Sequence, residues 1–152
     1  MERHSQQLPM SFHLRVVMSS DPRFLSVVRA VVGQLGHEYG LTEDTGREVT
    51  LAVDEALANV IRHAYRNRHD EEIEFNCQAR ADHLEFTLID RGEPADLSRI
   101  CGRPLDEVSL SGRGTHLIKA AMDEMRYERV PGGNQLRLIK NIPAAKVTVD
   151  KP

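Results

Sequence analysis

The order of apolar patterns predicts an α+β fold, a two-layer α/β sandwich with a mixed, mostly antiparallel sheet. Strand-like runs follow one another instead of alternating with helices. Two helical stripes stand together near the start. A long connection rich in glycine and proline, without sustained period, separates these elements from a final helix and hairpin.

Phe12 to Met18 alternates as Phe12, Leu14 and Val16, a strand pattern. Asp21 can cap a helix while Pro22 takes its first turn. Phe24, Val27, Val28, Val31 and Leu35 follow at helical spacing, with Gly36 or Gly40 as the stop. Thr42 caps the next helix, whose apolar side reads Val49, Ala52, Val53, Ala56, Leu57, Val60, Ile61 and Ala64 and fades at RNRHD. Ile73, Phe75, Cys77 and Ala79, then Leu84, Phe86 and Leu88, predict a hairpin. Asp90 to Arg113 is the irregular connection. Leu117, Ile118, Ala121, Met122 and Met125 form a helical stripe, and YERVPGGNQLRLIKNI a last hairpin turning at Gly132 and Gly133.

At 152 residues the chain suits a single domain, 1–152, with one compact core. Its formal charge is -3 with both signs interspersed, so no basic face for nucleic acid is expected. No apolar stretch approaches the roughly 20 residues that cross a bilayer, and the polar start lacks a signal segment. A cytoplasmic location is therefore expected. Cys77 and Cys101 form no C-x-x-C pair, and Cys77 reads as a buried thiol in a strand.

Three local signals carry chemistry. In DEALANVIRHAY, Glu55 and Asn59 stand one turn apart on a helix face that Arg62 joins. A carboxylate and an amide so placed can hold a hydrated Mg²⁺ and orient a hydroxyl, although such pairs also decorate many solvated helix flanks. In IDRGEP, Asp90 ends a strand and Gly92 lets the backbone approach a ligand. Its carboxylate can accept from an exocyclic amine. In SGRGTHLIKAAM, Gly112 and Gly114 lead into a helix whose free N–H groups suit phosphate.

The order E-x-x-x-N on a helix, D-x-G after a strand and G-x-G before a helix resembles the Bergerat ATP-binding fold of gyrase-type ATPases and histidine kinases. LAVDEALANVIRHAY, IDRGEPAD, GRGTHLIKAAMDEM and GNQLRLIK are similar to the anti-sigma-factor serine kinases, from about Phe12 to Ile142. The resemblance implies ATP and Mg²⁺ as cofactors, a sigma factor and an anti-anti-sigma protein as partners, and a homodimer in contact near Phe12 to Met18. It implies Glu55 as general base, Asn59 as Mg²⁺ ligand, and Asp90 as acceptor for the adenine amino group, with Gly92 giving the base room. Gly112, Arg113, Gly114 and Thr115 would touch phosphates beneath a lid formed by residues 93–111.

Departures from that pattern stand at Pro94, at Thr115 and His116, and at Asn134 and Gln135, where relatives offer a Thr to the nucleotide. SLSG replaces an Arg before the second glycine motif, leaving Arg99, Arg103 or Arg113 to supply charge. Intact Glu55 agrees with an ATP-dependent serine/threonine protein kinase. The short lid and missing Arg agree with a non-catalytic ATP-dependent anti-sigma or switch module. A detached sensor histidine-kinase catalytic domain is less expected, as no dimerising helix pair adjoins. His63 and His116 lie near the site and read as packing or hydrogen-bonding residues.

Overall fold

The structure, a computed structural model, describes residues 11–96 and 110–144; the side chains of 110–113 lie outside that description. Alternation builds the sheet. β2 (Glu72–Ala79) and β3 (His83–Asp90) each turn every second residue into the core. They pair antiparallel with Phe75 opposite Leu88 and Cys77 opposite Phe86. β1 (Phe12–Ser19) adds to the free edge of β2, bringing Leu14 beside Cys77 and Val16 beside Phe75. β5 (Gly133–Asn141) lies on the other side of β3, and β4 (Glu124–Val130) closes the far edge. The spatial order is β1-β2-β3-β5-β4 with every pair antiparallel, so the mixed sheet allowed by the sequence resolves to an antiparallel one.

Three helices among the described residues cover one face. Asp21 accepts the Arg23 N–H at 2.9 Å, and Pro22–Phe24 form a 3-10 turn that feeds α1 (Leu25–Glu38). The buried stripe of α1 is Leu25, Val28, Val32 and Leu35. It runs one residue beyond the expected Phe24 and Val27, which are exposed. Gly40, at φ 81°, takes the left-handed position that ends this segment, while Gly36 stays inside the helix against Leu41. Thr42 caps α2 (Glu43–Asn59) by accepting from the Thr45 N–H, with Glu43 and Asp44 in the first turn where the helix dipole favours them. All eight residues of the predicted apolar side, Val49 to Ala64, are buried.

α2 continues into a π turn, Val60–Ala64, closed by the Tyr65 N–H on the Val60 carbonyl at 2.9 Å. Arg66 and Asn67, both at positive φ, then end the helical path within the segment where the pattern fades. α3 (Leu110–Ala121) differs from expectation at both ends. It begins before the glycines, not after them, and it stops short of Met125, which enters β4 and still packs on the core. A residue four places beyond Ala121 fits a helical stripe and a strand's inward face equally well. No described helix is long and apolar enough to cross a membrane.

The opposite sheet face is polar. Arg15 pairs with Glu74 at 2.7 Å and Arg137 with Glu85 at 2.9 Å, each across neighbouring strands. The Arg15 hydrogen bond draws the Glu74 carboxyl from 4.5 to about 2, and the Arg137 hydrogen bond lowers Glu85 as well. A carboxyl depressed in the folded state contributes stability above its unfolded value and loses it as pH falls toward the folded one. The melting temperature should therefore drop as pH is lowered from 4.5 toward 2, and Glu74→Gln should make that part of the curve shallower. Circular-dichroism melts across this range check it; parallel curves would remove Glu74 as a contributor.

Candidate functional site

The apolar side of α2 faces the core, so its flank carries Glu55 and Asn59 to the helix edge, both half-buried. Arg62, in the π turn, brings one guanidinium nitrogen to both. Nη2 donates to Glu55 Oε1 at 2.7 Å and to Asn59 Oδ1 at 2.9 Å. The carboxylate and the amide expected to work together thus converge on one cationic donor. His63 beside them is exposed.

Asp90, at the inward-facing end of β3, is buried. Its Oδ1 accepts from the Gly92 N–H at 2.9 Å and from Asn134 Nδ2 at 2.8 Å. Burial pushes this carboxyl above the usual carboxylate range, and those two hydrogen bonds oppose the shift. Oδ2 takes no hydrogen bond among the described residues. Asn134 lies directly across the β3–β5 ladder from Asp90, whereas Gln135 points to the other face and donates to Glu128. Strand alternation therefore settles which of the two polar residues belongs to this site.

Gly92 has a structural reason beyond room for a base. A methyl group there would stand 2.6 Å from the Ala64 carbonyl carbon and 2.7 Å from its Cβ. The Glu93 N–H donates to the same Ala64 carbonyl at 2.9 Å. The π turn that follows Asn59 thus presses directly on the D-x-G turn. Two tyrosines that sequence reasoning missed hold the arrangement. Tyr65, buried, accepts from the Arg91 N–H at 2.9 Å and donates to the Glu72 carbonyl. Tyr127 donates to Asn134 Oδ1 at 2.9 Å and accepts from the Ala95 N–H at 2.8 Å. Neither belongs to a spaced motif; the available signal was a hydroxyl on an inward position of a helix end or strand.

Gly112, Arg113 and Gly114 lie within the first turns of α3. The contact partner of Gly114 is Glu55: a methyl group at that glycine would sit 2.7 Å from Glu55 Cδ and 2.8 Å from Cγ. A glycine costs a helix about 1 kcal/mol, and here it lets α3 close on the α2 carboxylate. Thr115 and His116 follow, both half-buried. The Arg113 side chain, Arg99, Arg103, Cys101 and most of the expected lid lie outside the described residues. α2 thus meets the D-x-G turn at one end and the G-x-G helix at Glu55, bringing all three sequence signals into one neighbourhood.

Residues 18–140 match the family described as the histidine kinase-like ATPase domain. The serine-protein kinase RsbW of Oceanobacillus iheyensis is 25% identical over 146 residues, covering 91% of this chain and 92% of that protein. That of Halalkalibacterium halodurans is 27% identical over 127 residues, covering 78% and 77%. Among solved structures, RsbU and RsbW domains from Mycobacterium tuberculosis superpose with a TM-score of 0.57 at 18% identity. That likeness covers 88% of this chain and 34% of the other, so the chain spans about a third of it. The histidine kinase domain of a blue-light activated kinase from Erythrobacter litoralis gives 0.53 at 18% identity, over 82% of this chain and 61% of that one.

The two glycine contacts predict opposite behaviour. Gly92→Ala forces a methyl group onto backbone and should destabilise the fold by about 1–3 kcal/mol, the usual range for overpacking. Gly114→Ala meets a side chain that can swing aside and also gains helix propensity, so its stability should stay within about 1 kcal/mol of the parent. Urea unfolding of both variants checks the contrast; equal losses would mean that Glu55 is held as firmly as backbone.

Proposed function

Because the chain belongs to the histidine kinase-like ATPase domain family, we propose that it is an ATP-binding anti-sigma factor that phosphorylates a serine of an anti-anti-sigma partner. The observation that carries this reading is the convergence of Glu55, Asn59 and Gly114 at one edge of α2, with the turn that presents Asp90 packed on the π turn that continues the same helix. That its relatives are serine-protein kinases supports the chemistry. Partner switching of this kind assigns the chain a sigma factor, an anti-anti-sigma protein and a cytoplasmic place of work.

The residues suit ATP and Mg²⁺. Asp90 keeps an oxygen for the adenine amino group. Gly114 has no side chain between Glu55 and the α3 backbone, and the first turn of α3, with Gly112, Arg113 and Thr115 beside it, supplies N–H donors and a positive dipole end for phosphate. Asn59 Oδ1 is a hard oxygen of the type Mg²⁺ accepts. When bound, ATP with Mg²⁺ supplies the phosphoryl group and neutralises its charge. Glu55 takes the proton of the attacking seryl hydroxyl, a task for a carboxylate at the edge of the helix. Asn59 holds the cation, and Arg62 orients both side chains.

One observation favours a second reading, a module that binds nucleotide and partners without transfer. Arg62 donates to Glu55 Oε1, so an oxygen that would meet the seryl proton is already engaged by a hydrogen-bond donor.

Incubation with labelled ATP, Mg²⁺ and the partner separates the two. Glu55→Gln should leave nucleotide affinity within a few fold and cut phosphoryl transfer by about two to four orders of magnitude. Asn59→Ala should weaken binding and transfer together, each variant being melted alongside. Full transfer by folded Glu55→Gln would sink the base assignment, and tight ATP binding without transfer by the parent would establish the module instead.

A homodimer joined near Phe12 to Met18 belongs to the same proposal. β1 is an edge strand with Val17 exposed and Phe12 at its end, and an open edge invites pairing with another chain. Light scattering should give a mass above the 17.2 kDa of one chain; that single mass at high concentration, with and without nucleotide, rules the dimer out.

A further inference from the structure

Asn134 spends its polar groups within the protein. Nδ2 donates to Asp90 Oδ1 at 2.8 Å and to the Gly92 carbonyl at 3.1 Å, and Oδ1 accepts from the Tyr127 hydroxyl at 2.9 Å. The residue is 1% exposed, so it reaches a ligand through Asp90 and not directly.

The directions in this chain follow from its outer end. A backbone N–H can only donate, so the Tyr127 oxygen accepts from Ala95 and sends its own proton to Asn134 Oδ1. The amide nitrogen is thereby turned toward Asp90. With Gly92 N–H on the same oxygen, Asp90 Oδ1 carries two donors. Oδ2 is left as an acceptor that takes no hydrogen bond among the described residues. An acceptor at this point suits an exocyclic amino group and opposes a carbonyl in the same place.

We propose that the Tyr127–Asn134 pair makes Asp90 select a nucleobase with an amino group, as in adenine, over one with a carbonyl there, as in hypoxanthine. The inference rests on the ATP-binding reading above and deepens it. Asn134 and Tyr127 are positioning residues. Without the Asn134 donor, Oδ1 keeps only the Gly92 N–H, and the carboxyl is no longer held with Oδ2 as its acceptor face, so the distinction between the two bases weakens. Tyr127 also links this choice to Ala95, on the segment that leaves the D-x-G turn.

The test is calorimetric titration of the full chain with ATP, with ITP, which replaces the amino group by a carbonyl, and with inorganic triphosphate, which has no base. The parent should prefer ATP over ITP by about tenfold or more, the scale of one hydrogen bond to a charged group. Asn134→Leu should shrink that preference to about threefold or less, and Tyr127→Phe should fall between, as the donor loses its orientation but not its presence. Triphosphate affinity should stay unchanged throughout, with melting curves confirming the fold. Folded variants that keep the parent's ratio overturn the proposal, as does equal loss of ATP and triphosphate, which marks a purely structural role. Should Asn134→Leu fail to fold, Tyr127→Phe decides alone. A parent that binds ATP and ITP equally overturns the selection only, whereas one that binds neither overturns the ATP reading on which it rests.

Discussion

The close approach of α2 and its π turn to two glycines is the constraint on which the rest of the molecule depends. At Gly92 the contact is backbone on backbone, with the Ala64 carbonyl accepting the next N–H, that of Glu93. At Gly114 it is a side chain, Glu55, against a helix without a Cβ. Neither spacing tolerates even a methyl group without movement, so α2 fixes the D-x-G turn and α3 relative to one another. The π turn is part of this device. By closing one residue wider than an α-helical turn, it offers the Ala64 carbonyl sideways to the loop, and such turns recur where a helix meets a functional site.

The second constraint is polar. Asp90 and Asn134 are buried, and a buried polar group left without partners costs more than its hydrogen bond returns. Here Gly92, Tyr127 and the opposing strand satisfy the pair almost completely. Such a network favours one arrangement over near alternatives, since any rotation breaks several bonds at once. Tyr65 does the same for Arg91, one residue further along. The turn that presents Asp90 is thus gripped from the helix side and from the sheet side.

Much of this was legible from residue order because the relevant periods are short and unambiguous. Eight buried positions on α2 and the π turn that continues it, and the inward residues of β2 and β3, follow from spacing alone. The E-x-x-x-N pair was readable for the same reason, a fixed angle of about 100° per residue. The misreadings share a cause. Gly112 and Gly114 suggest a loop because glycine weakens a helix, but at Gly114 the missing side chain leaves space for Glu55, and nothing local announces that partner. Met125 fits two periods at once. Tyr127 and Asn134 meet only because β4 and β5 pair in a particular register, with Tyr127 opposite Leu136 and Asn134 opposite Arg129 on one side and Asp90 on the other. The first pairing is local to the last hairpin, seven residues apart, but the meeting of Asn134 with Asp90, 44 residues away, is long-range information absent from any window of sequence.

Arg62 joins these constraints to the chemistry. Its Nη2 already gives Glu55 and Asn59 the positive partner that a metal-bound nucleotide would bring. A cation approaching Asn59 Oδ1 would compete with that hydrogen bond, and Glu55 would keep or lose its share according to where the guanidinium moves. The side chain is half exposed, so it can move without disturbing the core. Phosphate groups are the natural destination for a displaced guanidinium, since its planar fork matches their oxygens. In that exchange the positive charge beside the carboxylate is replaced rather than added, which keeps the electrostatic cost of cation entry low. Whether the guanidinium stayed on Glu55 or swung away would then decide which oxygen of that carboxylate is free, and this is where the transferring and the binding-only readings part.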